Sequence, residues 1–294
     1  HVAMLLAAAK VLTQVKDRLP GTVKFIFQPA EEGAPTGETP AGAEAMIAAG
    51  VMNNPKVDAV FGLHVFANIP TGQLTYRSGP FMAASDTFEI VVRGRQTHGA
   101  TPWRGIDPIV VGSQIVMGLQ TIVSRGVDIT ALPAIVTVGQ FQAGVRNNII
   151  PDSAKLVGTI RTFDDAVQTD IHAKVTRIAE NIAEAAGTTA QVTITKGYPV
   201  TSNEPALTAR MLPTLERVAP GAVKVSELIT GAEDFTYFQR QAPGLFVFLG
   251  ITPPAQVGKA PQNHSPLFVV DEAALPTGVR ALAHLAVDYL SGRK

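Results

Sequence analysis

Between residues 86 and 197 the apolar period switches four times, in an order that few folds accommodate. "DTFEIVVRG" (86–94) alternates with period two, as a strand with one face in water does. Residues 105–126 then run helical, with Ile109, Val110, Ser113, Val116, Met117, Gln120 and Val123 on successive turns. "AIVTVGQFQAG" (134–144) and "SAKLVGTIRTF" (153–163) are strands joined by "VRNNIIPD". "VQTDIHAKVTRIAENIAEAAG" (167–187) is an amphipathic helix with a glycine end, and "AQVTITKG" (190–197) is a last strand. The order β-α-β-β-α-β is the split sandwich of ferredoxin-like domains.

On either side the pattern is different. Residues 1–18 repeat apolar side chains (Val2, Leu5, Leu6, Ala9, Leu12, Val15) near the helical period, and Pro20-Gly21 closes the run. "TVKFIFQ" (22–28), "VDAVFGLHV" (57–65) and "GLFVFLG" (244–250) read as buried strands, and "GQLTYRSG" (72–79) and "VKVSEL" (223–228) as further ones. Helices fall at 41–50, 204–218, 232–240 and 271–290. Strands alternating with helices predict an α/β sheet. The expected architecture is an α/β domain, residues 1–82 and 198–294, interrupted by an inserted α+β domain, residues 83–197.

Composition narrows the function. Lys plus Arg equals Asp plus Glu at 24 each, so no charge excess points to nucleic acid or an anionic membrane as partner. No apolar run is long enough to span a bilayer, and no secretory leader is visible, so a cytoplasmic location is expected. There is no cysteine, which removes thiolate chemistry and disulfides.

Several residues carry chemistry. Glu31 and Glu32 sit between Pro29, which ends a strand, and Gly33, which frees a turn; ligands of open α/β sheets collect at such strand ends. One carboxylate can hold a cation while the other takes a proton, or the two form a solvated surface pair. His64 ends the strand "VFGLHV", and His264 lies in "APQNHSPLF" after another buried strand; a satisfied core histidine and simple turn chemistry are their ordinary readings. Together, two imidazoles and a carboxylate are ligands of the zinc type. His98 ends the first inserted strand, in "THGATPW". Asn147 and Asn148 occupy a hairpin connection suited to left-handed asparagine. The planar fork of Arg161 can hold a carboxylate. Glu233 and Asp234 are helix-start carboxylates or partners orienting a metal-bound histidine. His172 and His284 read as ordinary positions on amphipathic helices.

The motifs "QPAEEG", "GLHV", "THGATP", "NNIIPD", "GTIRTF", "GAEDF" and "NHSP", in this order, resemble the two-metal aminoacylase and carboxypeptidase family. The closest resemblance is to its N-acyl-amino-acid amidohydrolases, which include hippurate hydrolases and indole-acetyl-amino-acid hydrolases. It covers essentially the whole chain. The resemblance implies a metal-dependent amidohydrolase or peptidase acting on small N-acyl amino acids or peptides, with a ferredoxin-like lid that commonly forms a homodimer. It implies Glu31 as general base, and Glu32, His64 and His264 as metal ligands. It also implies that His98 steadies the tetrahedral intermediate and that Asn148 and Arg161 grip the substrate. The expected cofactor is a divalent metal, zinc first, with manganese, cobalt or nickel as alternatives.

One departure matters. This branch carries a Cys-Gly-His-Asp-type motif just before the helix that begins here as "HVAMLL", and its Cys and first His are ligands. His1 matches the second His of that motif. The resemblance therefore implies that roughly the first hundred residues of a usual member are absent. The expectation that follows is one metal or none instead of two, with an uncovered sheet edge. The alternative function is then a catalytically impaired remnant that acts only as a dimerising module.

Overall fold

Nine consecutive buried residues, Gly244–Thr252, form the strand around which the first of two units is assembled. In the computed structural model, which describes residues 1–33 and 39–292, this unit comprises 1–81, 201–228 and 233–294. The second comprises 82–200 and 229–232.

The chain runs through α1 (Val2–Thr13), α2 (Gly42–Ala48), β1 (Val60–Pro70), β2 (Leu74–Tyr76), β3 (Gly79–Met82), β4 (Ala84–Arg93) and β5 (Thr97–His98). There follow α3 (Pro108–Gly126), β6 (Ile135–Ala143), β7 (Ile149–Ile150), β8 (Ser153–Thr162), α4 (Asp165–Ala185) and β9 (Ala190–Lys196). The last elements are β10 (Thr201–Asn203), α5 (Pro205–Val218), β11 (Val223–Val225), α6 (Thr236–Gln239), β12 (Gly244–Thr252) and α7 (Leu275–Leu290). No helix among the described residues is long and apolar enough to cross a membrane.

In the first unit a four-stranded sheet has the order β1-β12-β2-β11. β1 runs parallel to β12, with His64 opposite Phe248, and β2 runs antiparallel to it. A strand covered on both faces reads as a continuous apolar run, which is why β12 shows no alternation. Its Leu245, Val247, Leu249 and Ile251 pack with Leu207, Met211 and Leu215 of α5 and Ala281 and Leu285 of α7. Each such side chain contributes about 1.5–3 kcal/mol on burial. Gly62 of β1 is required by packing: a Cβ there would stand 2.6 Å from the Phe246 ring and 2.7 Å from the Phe235 ring. Those rings seat the turn before α6 against β1, two residues from His64.

The second unit is a four-stranded antiparallel sheet, β6-β8-β4-β9, whose buried face packs on α3 and α4. With α3 between β4 and β6, and α4 between β8 and β9, the chain order is β-α-β-β-α-β. Asp107 caps α3 by accepting from the N–H groups of Ile109 and Val110, and Asp164 caps α4 the same way at Ala166 and Val167. His172, expected as an ordinary helix position, instead lies 2.7 Å from the buried Asp86 carboxylate, which also accepts from Gln168 and the Gly197 N–H.

Three expectations for the first unit are corrected. Residues 22–28 are not a strand: they make no ladder pairing with any strand among the described residues. Only Thr236–Gln239 of the expected helix 232–240 is helical, since Glu233 and Asp234 are drawn into other hydrogen bonds. In α1 the buried stripe is Met4, Ala8 and Leu12, while Val2 and Leu6 are exposed. A helix apolar on nearly every side presents no sharp stripe to read.

Candidate metal centre

Two adjacent glutamates are separated by a turn. Ala30 has φ 54° and Gly33 φ 118°, and the Gly33 N–H donates to the Ala30 carbonyl, so the chain reverses with Glu31 and Glu32 at its tip. Glu31 turns inward and Glu32 outward. Glu32 Oε2 stands 3.5 Å from His264 Nδ1, with both side chains about two-thirds exposed, at 69% and 67%. His264 itself has φ 69°, a conformation that costs a non-glycine residue roughly 1–3 kcal/mol and that clusters at functional sites.

His64 is set differently. Its Nδ1 lies 2.6 Å from the Val65 carbonyl oxygen and donates to it, which leaves Nε2 as the lone-pair nitrogen. Burial holds His64 below its ordinary pKa, and it is therefore neutral, as an imidazole ligand must be. Its ring meets that of His1 edge-on at 5.0 Å, and His1 Nε2 accepts from the Val65 N–H at 2.9 Å.

Glu31 faces two further carboxylates. Ligand atoms of Glu31, Glu233 and Asp234 all lie within 4.8 Å of one another. Glu233 and Asp234 are 5% and 1% exposed. Burial, then the neighbouring charges of Asp234 and Glu32, push the Glu31 carboxyl up to about 7; a hydrogen bond from the Asp234 backbone partly offsets them. Burial and the Glu31 charge push Glu233 up to about 8. Asp234 is raised by burial, against hydrogen bonds from the Ala43 N–H and Gln28. Three crowded acids shielded from water need protons or a cation, and a free imidazole nitrogen and the Glu32–His264 pair belong to the same unit. The donor set fits a divalent metal.

The sequence-predicted ligands are thus only partly drawn together. Glu32 and His264 are neighbours, but Glu32, His64 and His264 do not form a compact trio. The one group that does, among the described residues, is Glu31 with Glu233 and Asp234. Glu233 and Asp234, expected as helix starters or as partners of a histidine, crowd Glu31 instead. Gln28, Asn263 and His1 were not predicted as site residues. Gln28 and Asn263 stand in the motifs "QPAEEG" and "NHSP", and those motifs were the available signal.

In the second unit His98 and Asn148 share a ledge. β5 pairs with β7, the Gly99 N–H donates to the Asn148 carbonyl at 2.8 Å, and both side chains are exposed. His98 Nδ1 accepts from the Ala100 N–H at 3.0 Å, so a neutral ring carries its proton on Nε2. Arg161 of β8 donates to Thr159 Oγ1 at 2.6 Å and is half-buried. His284 is an exposed position on α7.

Known proteins resemble this chain throughout. The model for "Peptidase family M20/M25/M40" matches residues 1–288. Thermostable carboxypeptidase 2 of Saccharolobus solfataricus is 40% identical over 290 residues, 98% of this chain and 71% of the relative. An N-acetylcysteine deacetylase of Bacillus subtilis is 36% identical over 290 residues, 99% of this chain and 72% of the relative. A crystal structure from Bacillus subtilis, described as a dinuclear metal-binding peptidase of the M20 family, superposes with a TM-score of 0.80 at 34% identity. That match covers 99% of this chain and 71% of the other.

Proposed function

The chain belongs to peptidase family M20/M25/M40, and on that premise we propose that it hydrolyses the amide bond of an N-acyl amino acid or short peptide, with Glu31 as general base. The observation that carries this reading is the Glu31 carboxyl, pushed up to about 7 beside the Glu32–His264 pair. A base that cycles near neutral pH can both take a proton and return it.

Glu32 and His264, already neighbours, would hold the metal, and His64 would reach it through Nε2 only as the three draw together on binding; zinc suits the N/O donor set. Once bound, a divalent metal lowers the pKa of water and polarises the scissile carbonyl. Glu31 takes a proton from the attacking water as oxygen bonds to the carbonyl carbon. It then delivers that proton to the leaving nitrogen as the C–N bond breaks, which gives a carboxylate and an amine. Burial, with the charges of Asp234 and Glu32 beside it, keeps the Glu31 proton from being lost too readily.

The inserted second unit is proposed as the lid. His98 Nε2–H is a donor suited to the developing oxyanion, where one such donor is typically worth ~3–4 kcal/mol. Asn148 offers an amide beside it, and Arg161 a planar fork for the substrate carboxylate. This unit is also the proposed dimer contact: β6 is an edge strand, and Ile135, Phe141, Ile109, Val110 and Met117 are exposed on β6 and α3.

The test is release of amino acid from N-acetyl amino acids with added Zn²⁺, Mn²⁺ or Co²⁺. The wild type should turn over, and Glu31→Gln should lose about 100-fold or more. Full activity of Glu31→Gln refutes the base assignment.

A further inference from the structure

Among the described residues β1 ends its sheet, and on that side the backbone groups near Val65 and Ala67 meet side chains instead of a strand. Both residues are buried, at 7% and 1% exposure, and water does not reach them freely. Side chains take the place of the strand. The Ala67 N–H donates to Asn263 Oδ1 at 3.0 Å, Asn263 Nδ2 donates to the Val65 carbonyl at 3.0 Å, and the Val65 N–H donates to His1 Nε2 at 2.9 Å. A primary amide offers a donor and an acceptor on one plane, as a peptide group does, so Asn263 pairs with β1 as one residue of a strand would. The same Val65 carbonyl accepts from His64 Nδ1.

We propose that Asn263 is a positioning residue for the metal site: by docking on the β1 edge it holds His264 beside it in its left-handed conformation, and it shares with His64 the carbonyl that orients His64 Nε2 outward. One peptide unit thereby ties together two imidazoles 200 positions apart in the sequence. Asn263 touches neither metal nor substrate. His1 completes the edge by occupying the remaining N–H. The inference rests on reading His64 and His264 as ligands. It goes further in naming what sets their geometry.

Partners that orient a metal-bound histidine typically matter 10–100-fold in affinity. The experiment is Co²⁺ titration of the full chain, followed by calorimetry and the visible absorption of the bound ion, with amide exchange read at Ala67. Asn263→Ala should weaken Co²⁺ about tenfold or more, alter the visible band, and release the Ala67 amide to exchange, with the far-UV spectrum unchanged. Asn263→Asp keeps the acceptor for Ala67 but sets a carboxylate against the Val65 carbonyl. It should protect Ala67 and still perturb the band, and it decides the matter if Asn263→Ala does not fold. His1→Gln, which keeps an acceptor, should bind Co²⁺ better than His1→Phe, which keeps only a ring. If Asn263→Ala and Asn263→Asp bind Co²⁺ like wild type while His264→Ala does not bind, the positioning role is wrong and the ligand reading stands. If His64→Ala and His264→Ala bind like wild type, the ligand reading fails and takes this inference with it.

Discussion

Gln28 Nε2 lies 2.6 and 2.7 Å from the two carboxylate oxygens of Asp234, joining residues 206 positions apart. The Ala43 N–H, in the first turn of α2, adds a third bond to Asp234 Oδ2 at 2.8 Å. Asp234 therefore anchors three separate segments: the extended run before Glu31, the start of α2 and the turn before α6. It also stands beside Glu31, where its charge is one of the causes that raise the proposed base.

Gly42 is the residue that lets this anchor close. It has φ 53°, and a Cβ on it would stand 2.1 Å from Asp234 Oδ2. Gly42→Ala should cost about 2–4 kcal/mol, from left-handed strain together with displacement of a buried carboxylate. Chemical denaturation would measure it. A loss below about 0.5 kcal/mol would mean that the Asp234 anchor is not the constraint described.

The acid cluster makes stability of the metal-free protein depend on pH with a definite sign. Glu31 and Glu233 release their protons at about 7 and about 8 in the folded chain, against 4.5 as the ordinary value. Between 4.5 and 8 the folded state holds more protons than the unfolded one, so stability falls as pH rises. The Tm of chelator-treated protein should drop from pH 5 to pH 8 more steeply than that of Glu233→Gln, whose side chain does not titrate. The difference should be on the order of 2 kcal/mol. Zn²⁺ should raise the Tm more at pH 8 than at pH 5, since the ligands are then ionised. Parallel pH curves for wild type and Glu233→Gln would contradict the crowding of the two acids.

Asp86 is the corresponding keystone of the second unit. It is 1% exposed and receives His172, Gln168 and the Gly197 N–H. Asp86→Ala leaves the buried Gln168 amide, the half-buried His172 ring and the Gly197 N–H without their acceptor and should destabilise that unit by about 1–3 kcal/mol. Hydrogen exchange should show β4, α4 and β9 opening first, with α5 and α7 of the first unit unaffected.

Self-association tests the exposed face on β6 and α3. On the proposed dimer, the wild type should weigh two chains by light scattering and Phe141→Glu with Met117→Glu should weigh one. An unchanged mass would exclude this face as the contact.

The β-α-β-β-α-β order was legible because each element carries its own evidence. Alternation marks β4, and the helical period marks α3 and α4; the structure adds Asp107 and Asp164 as the caps that fix where those helices begin. The run 22–28 looked equally convincing, being apolar and β-branched, yet it carries no ladder: a strand is completed by its neighbour, and sequence has no view of the neighbour. The same limit hid Asp86 behind His172, since a carboxylate 86 positions away from its histidine leaves no local trace.

The sequence by itself determined most of the secondary elements, the α/β class and the motifs in which Glu31, Glu32, His64 and His264 stand, because periodicity and turn residues act over a few positions. Only the tertiary structure decided that Glu31 turns inward onto Glu233 and Asp234 while Glu32 turns outward to His264. It alone put Asn263 on the edge of β1. These outcomes depend on burial and on hydrogen-bond partners supplied by remote segments. The chain fixes such partners only when it closes on itself and excludes water from the groups they join.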